Sequence, residues 1–155
     1  MKPNKYISVL FSMFLFSCYS APPKQDKRTL IFSSYLKKEF SMEIPKDEHI
    51  YILIPELACK GCIINKTQKE IEWLLKKQRN NNFTIISSNA PFIDYISKNN
   101  INYLADNSGK LDRLNLDISN ITVINTQNRA IKDLKSIATD DTNSIEFYVN
   151  KFYSE

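Results

Sequence analysis

Tyr51-Ile52-Leu53-Ile54-Pro55-Glu56-Leu57-Ala58-Cys59-Lys60-Gly61-Cys62 is the stretch on which the reading turns. Its first four residues continue an apolar run that reads as a buried strand over His49 to Pro55. Beyond it, Ile63, Ile64, Ile71, Trp73, Leu74 and Leu75 recur against Lys66, Lys69, Glu70, Lys76 and Lys77. That pattern predicts an amphipathic helix from Ile63 to Arg79. Cys59 and Cys62 therefore stand between a strand and the N-terminus of a helix. Two thiols at this spacing can close a small disulfide. The helix dipole favours a thiolate there by roughly 0.3–1 kcal/mol. A lowered thiol pKa is what makes a cysteine nucleophilic near neutral pH.

Working outward, Asn80-Asn81-Asn82 ends the helix and Phe83 to Ser87 reads as the next strand. Pro91 suits the first turn of a second helix reaching Lys98. Ile101 to Leu104 is a short strand, and Ala105 to Ser119 is loop with a helical turn near Leu111 to Leu116. Ile121 to Asn125 and Ala130 to Leu134 form a hairpin around Thr126-Gln127-Asn128-Arg129. Thr142 to Tyr153 closes the chain as a helix, with Asp141 as its cap. Upstream, Thr29 to Phe40 is a short helix or an irregular lead-in, and Pro45 interrupts it. The order is β, α, β, α, β, loop, β, β, α. Alternation implies a parallel sheet, and the late hairpin adds antiparallel strands.

The chain has 155 residues, of which 43% are hydrophobic and 25% charged, enough for one globular domain with a core. It holds only two glycines, Gly61 and Gly109. The net charge of +4 includes Lys2 and Lys5, which fall in a segment expected to be removed. No run of Lys and Arg with interleaved aromatics is present, so no nucleic-acid partner is expected. Lys24, Lys27 and Arg28 read as part of a solvated tether. No serine triad, phosphate loop or Gly-rich dinucleotide fingerprint occurs, and no cofactor is expected. Asp106 and Asp140-Asp141 read as solvated loop residues.

Lys2 and Lys5 precede the short apolar run Ile7 to Phe16, too short for a spanning helix of about 20 residues. Leu15-Phe16-Ser17-Cys18 follows and resembles the lipobox of bacterial lipoproteins. The resemblance implies a signal peptide over residues 1–17, lipid (palmitate among its acyl chains) on Cys18, and a tether over 18–28 containing Pro22-Pro23. It places the globular domain at 29–155, held at the cell envelope and facing the periplasm or the outside. Several acyl chains anchor stably where one binds only marginally. Tyr19 stands where Asp retains lipoproteins at the inner membrane of enteric bacteria, which favours the outer membrane. Of three cysteines, lipidation of Cys18 leaves the CxxC pair, which removes the odd thiol.

Strand, Cys59-Lys60-Gly61-Cys62 on a helix, β-α-β, hairpin and final helix together resemble the thioredoxin-fold family. The likeness is greatest to its membrane-anchored extracytoplasmic thiol-disulfide oxidoreductases, over about residues 45 to 153. The resemblance implies an α/β, thioredoxin-like three-layer sandwich. Its central mixed sheet would have a parallel β-α-β half and a C-terminal β-hairpin plus helix. It also implies that Cys59 attacks and Cys62 resolves a mixed disulfide, as exchange chemistry requires. Lys60 would favour the Cys59 thiolate, and Gly61 would let the turn into the helix pack. The implied partners are exported proteins with thiols or disulfides, or a membrane redox partner, and the implied state is a monomer.

Three features depart from that family. Ala58 stands where an aromatic residue usually precedes the first cysteine, and Trp73, one helical stretch later, reads as a core residue. Ser119 or Asn120 stands where the family has a cis-Pro; a non-Pro cis bond costs about 2.5–4 kcal/mol, so a trans peptide is expected. Glu56 is the nearest counterpart of the family's buried carboxylate, and it also reads as a solvated surface residue. Two other functions stay open. One is a non-catalytic thioredoxin-like binding module with a structural disulfide. The other is metal binding or copper delivery by the two thiols and His49, the one histidine of the chain; a closed zinc site usually needs four ligands.

Overall fold

The computed structural model describes residues 26–56, 58, 69–72, 82–98, 103–116, 118, 120–137, 145 and 147–148. Strand β1 (His49–Ile54) is buried at every residue after His49. Its apolar run is unbroken because it has a strand on each side and apolar cover on each face. β2 (Phe83–Ser87) pairs with it in parallel, Ile52 opposite Ile85. β4 (Ile121–Gln127) pairs with it antiparallel on the other side, Ile52 opposite Val123. β3 (Tyr103–Ala105) adds in parallel beyond β2, and β5 (Ala130–Ile137) adds antiparallel beyond β4. The sheet order is β3-β2-β1-β4-β5.

Alternate residues of β1 feed two cores, as strand geometry demands. Ile50, Ile52 and Ile54 join Ile85, Ile121 and Val123, covered by Ile71, Phe92, Ile96, Ile145 and Tyr148. Tyr51 and Leu53 join Ile86 and Ile124, covered by Phe32, Tyr35, Leu36, Leu111 and Leu116. Connection handedness explains which helix lies where. The chain steps from β1 to β2 to β3 in one direction, so two right-handed crossovers place both connecting helices on the same face. Ile71, in the helical segment 69–72, and Phe92, in α2 (Ala90–Lys98), accordingly share one core. The other face is left to α1 (Lys27–Phe40) and to the segment around a 3-10 turn at Leu111–Arg113. The fold is α/β and thioredoxin-like, a mixed sheet between two layers with a parallel half and an antiparallel hairpin.

Side chains tie the covering elements together. Glu70 Oε2 accepts the Ile145 N–H at 2.8 Å, and Glu72 Oε1 accepts the Tyr95 hydroxyl at 2.7 Å. Ile145, Phe147 and Tyr148 are helical, within the segment expected to form the last helix. The expected lead-in over Thr29 to Phe40 is a regular helix beginning at Lys27, so Lys27 and Arg28 of the expected tether lie in α1. Residues 1–25, with the signal segment, Cys18 and most of the tether, lie outside the described residues, as do Trp73, Asp140 and Asp141.

Among the described residues, left-handed positions are filled without glycine at three places. Ser41 (φ 55) ends α1, with its N–H on Lys37 O and the Met42 N–H on Leu36 O, each at 3.2 Å. The hairpin turns on Asn128 (φ 54) and Arg129 (φ 62), the two-residue loop whose twist suits antiparallel strands. Arg129 has a Cβ where glycine would be unstrained. Arg129→Gly should therefore raise unfolding stability by about 1 kcal/mol, read by urea denaturation. The backbone bonds Asn128 N–H to Lys46 O and Arg129 N–H to Pro45 O survive the change.

Candidate functional site

Ligands of open α/β sheets bind beyond the carboxyl ends of the parallel strands, where strand order reverses. Here that edge is formed by the ends of β1, β2 and β3, aligned as Ile54 opposite Ser87 and Ser87 opposite Ala105. The start of β4 reaches the same edge, since Thr122 lies opposite Leu53. The segment that carries the CxxC leaves β1 at this edge.

Its exit is held by hydrogen bonds. Ile54 O accepts the Ser87 hydroxyl at 3.1 Å and the Ser88 N–H at 3.2 Å. Pro55 O accepts the Ala58 N–H at 3.2 Å, closing a turn. Glu56 O accepts Asn89 Nδ2 at 3.4 Å. Ala58 is buried in the core with Ile71 and Ile145. Burial in that cluster favours a small residue at this position.

Of the candidate residues, Glu56 and Asn120 are described, and both lie at this edge. Glu56 is exposed, so it is not a buried proton acceptor. Asn120 is half-buried, and its carbonyl accepts the Thr122 hydroxyl at 3.0 Å. Cys59, Lys60, Gly61, Cys62 and Ser119 lie outside the described residues, so the expected trans peptide at Ser119 or Asn120 does too. His49 stands at the opposite end of β1, about 16 Å from Ile54 at about 3.3 Å per residue. Its Nε2 lies 2.9 Å from Thr84 Oγ1, its ring packs on Tyr51, and burial pushes its pKa down. It cannot reach ligands at the carboxyl edge. Among the described residues no group of three or more His, Cys, Asp and Glu side chains could hold a metal ion.

Asp106 corrects an expectation: it is buried, not a solvated turn residue. Its N–H donates to Ser87 O at 2.8 Å, so the chain turns inward after β3. Oδ1 accepts the Ser108 N–H at 3.0 Å and the Ser108 hydroxyl at 2.7 Å. Oδ2 accepts the Tyr35 hydroxyl at 3.2 Å and the Leu111 N–H. Burial raises the Asp106 pKa, but the bonds from Ser108, Leu111 and Tyr35 outweigh it, and the carboxyl stays below its ordinary value. Burial first, and then the Asp106 charge, pushes Tyr35 far up. Tyr51 is pushed up to about 12 by burial.

Ser87, Asn89 and Asp106 organise this edge; the sequence reading marks neither Ser87 nor Asn89 as a site residue and takes Asp106 for a solvated one. Signals for two of them existed. Asn89 just before Ala90-Pro91 is a helix-start pattern. Asp106-Asn107-Ser108-Gly109 is an Asx-turn pattern, with Gly109 at φ 62.

No protein-family model matches the chain, and no curated protein matches it. A solved structure of reduced Prx3 in complex with hydrogen peroxide, from Vibrio vulnificus, aligns at 12% identity and a TM-score of 0.47. The alignment covers 68% of this chain and 82% of that one.

A depressed carboxyl pKa stabilises the fold above its unfolded value of about 3.9, and the contribution is lost as pH falls through the folded-state value. Asp106→Asn should cost about 1–3 kcal/mol at pH 7, because an amide can accept at only one of the two oxygen positions. The variant should also lose less stability than wild type between about pH 5 and pH 2. Urea unfolding across that range checks both.

Proposed function

We propose that this chain is an envelope-anchored thiol-disulfide exchange protein, with Cys59 as nucleophile and Cys62 as resolving cysteine. The observation that carries the reading is a position in sequence. In sequence the CxxC comes directly after the buried Ala58, which itself follows the carboxyl end of the central strand of a thioredoxin-like sheet. Ser119 or Asn120 stands at the place of the family's cis-Pro in this reading.

In the reaction, the Cys59 thiolate attacks one sulfur of a substrate disulfide. The substrate S–S bond breaks, one substrate thiolate leaves and takes a proton, and a mixed disulfide forms. The Cys62 thiolate then attacks Cys59 Sγ, and the second substrate thiolate leaves. The substrate gains two electrons, and Cys59–Cys62 is left oxidised. Run backwards, the same steps oxidise a substrate dithiol. Exported proteins with thiols or disulfides, or a membrane redox partner, are the partners in this reading. Lipid on Cys18 supplies the anchor in this reading.

In the Cys62→Ser variant, Cys59 should titrate below the ordinary thiol value of about 8.5, and Cys62 in Cys59→Ser should not. The couple should equilibrate with glutathione between about −120 and −280 mV. A potential below about −300 mV with unreactive thiols would instead mean a structural disulfide and a non-catalytic binding module. Labelled palmitate should be retained by wild type and lost in Cys18→Ser.

A further inference from the structure

We propose that the groove between α1 and the 3-10 turn binds a small amphipathic anion, a carboxylate head on an apolar tail. It shares no residue with the dithiol site. Its volume is about 470 Å³, within the range of small-molecule pockets. Leu30, Ser34 and Lys38 recur every four residues and form one stripe of α1 along it. At 1.5 Å per residue that stripe runs about 12 Å, from an apolar end to a charged one. Ile31 and Tyr35 line the groove one residue further on, half-buried and buried. Arg113 and the half-buried Leu114 line it from the side of the turn.

The tail is argued from Leu30, which is 53% exposed. A lone exposed leucine is ordinary. This one shares a groove with Ile31 and Leu114, so apolar surface is left in water along its length. The head is argued from charge. Glu39 is the carboxylate among the described lining residues, and both its oxygens are taken. Oε1 accepts the Lys110 ammonium, and Oε2 accepts the Ser108 hydroxyl at 2.8 Å. The Tyr35 hydroxyl is committed to Asp106. Lys38 and Arg113 are exposed, and among the described residues neither side chain has an ion-pair or hydrogen-bond partner. Two cations are thus left over beside an apolar wall, which is the complement of a carboxylate carrying hydrocarbon. Size favours a small molecule over a protein. About 12 Å accommodates roughly four residues of extended peptide, and a stable protein interface buries about 1,000 Å² or more.

Decanoate below its micelle concentration is the probe, titrated calorimetrically at low salt into the full-length chain carrying Cys18→Ser, so that no attached acyl chain competes. One saturable site is expected, with decanol and decylammonium weaker by about tenfold or more. Ser34→Trp fills the groove, and Lys38→Glu with Arg113→Glu reverses its charge. All three positions are exposed, so the thermal midpoint of the unliganded chain should hold. Ser34→Trp should abolish decanoate binding. The charge reversal should weaken decanoate by about tenfold or more and make decylammonium the tighter ligand. Absence of saturable decanoate binding overturns the proposal, whether or not an acidic peptide or anionic vesicles bind instead. Equal affinity for the three probes, or decanoate binding unchanged in both variants, overturns it as well.

Discussion

Burial of β1 on both faces and along both edges is the constraint from which the rest follows. A strand so enclosed must be apolar at every position past its first, and its backbone must be hydrogen-bonded on both sides. Each buried Leu or Ile contributes about 1.5–3 kcal/mol relative to exposure. The cost appears where β1 ends. Carbonyls that leave the ladder still need donors, and the molecule supplies them from the next connection. That is why one small polar residue, Ser87, ends β2 and another, Asn89, follows it, at a place where packing alone would favour more hydrocarbon.

The carboxyl edge is consequently polar and ordered. Ser87 bridges from β1 to the loop after β3: its hydroxyl bonds Ile54 O and its carbonyl accepts the Asp106 N–H. Asp106 in turn holds Tyr35 of α1 and Leu111 of the 3-10 turn. One chain of hydrogen bonds thus runs from the segment that precedes the CxxC to the helix covering the opposite face. Such networks have value only when satisfied throughout, and Asp106 accepts four bonds.

Scarcity of glycine shapes the turns. Ser41, Asn128 and Arg129 take left-handed conformations that glycine would take without strain, and one of the two glycines, Gly109, does so after Asp106. Asparagine tolerates this region because its side chain bonds locally. Arginine has no such help, and at Arg129 the surrounding hairpin enforces the conformation.

The sequence by itself determined what is local. The apolar run of β1, the period of the segment around Ile71, the hairpin and the order of elements were legible, because each is written within a dozen residues. So was the spacing of Cys59 and Cys62. Only the tertiary structure decided what meets across long separations. His49 and the CxxC segment are ten residues apart in sequence, yet an extended strand separates them. Asn89 reaches Glu56 across 33 residues. Asp106 reads as a surface turn until Tyr35, 71 residues upstream, donates to it. Strand pairing creates these meetings, and no local pattern of hydrophobicity or turn chemistry encodes which edge a distant polar residue will reach.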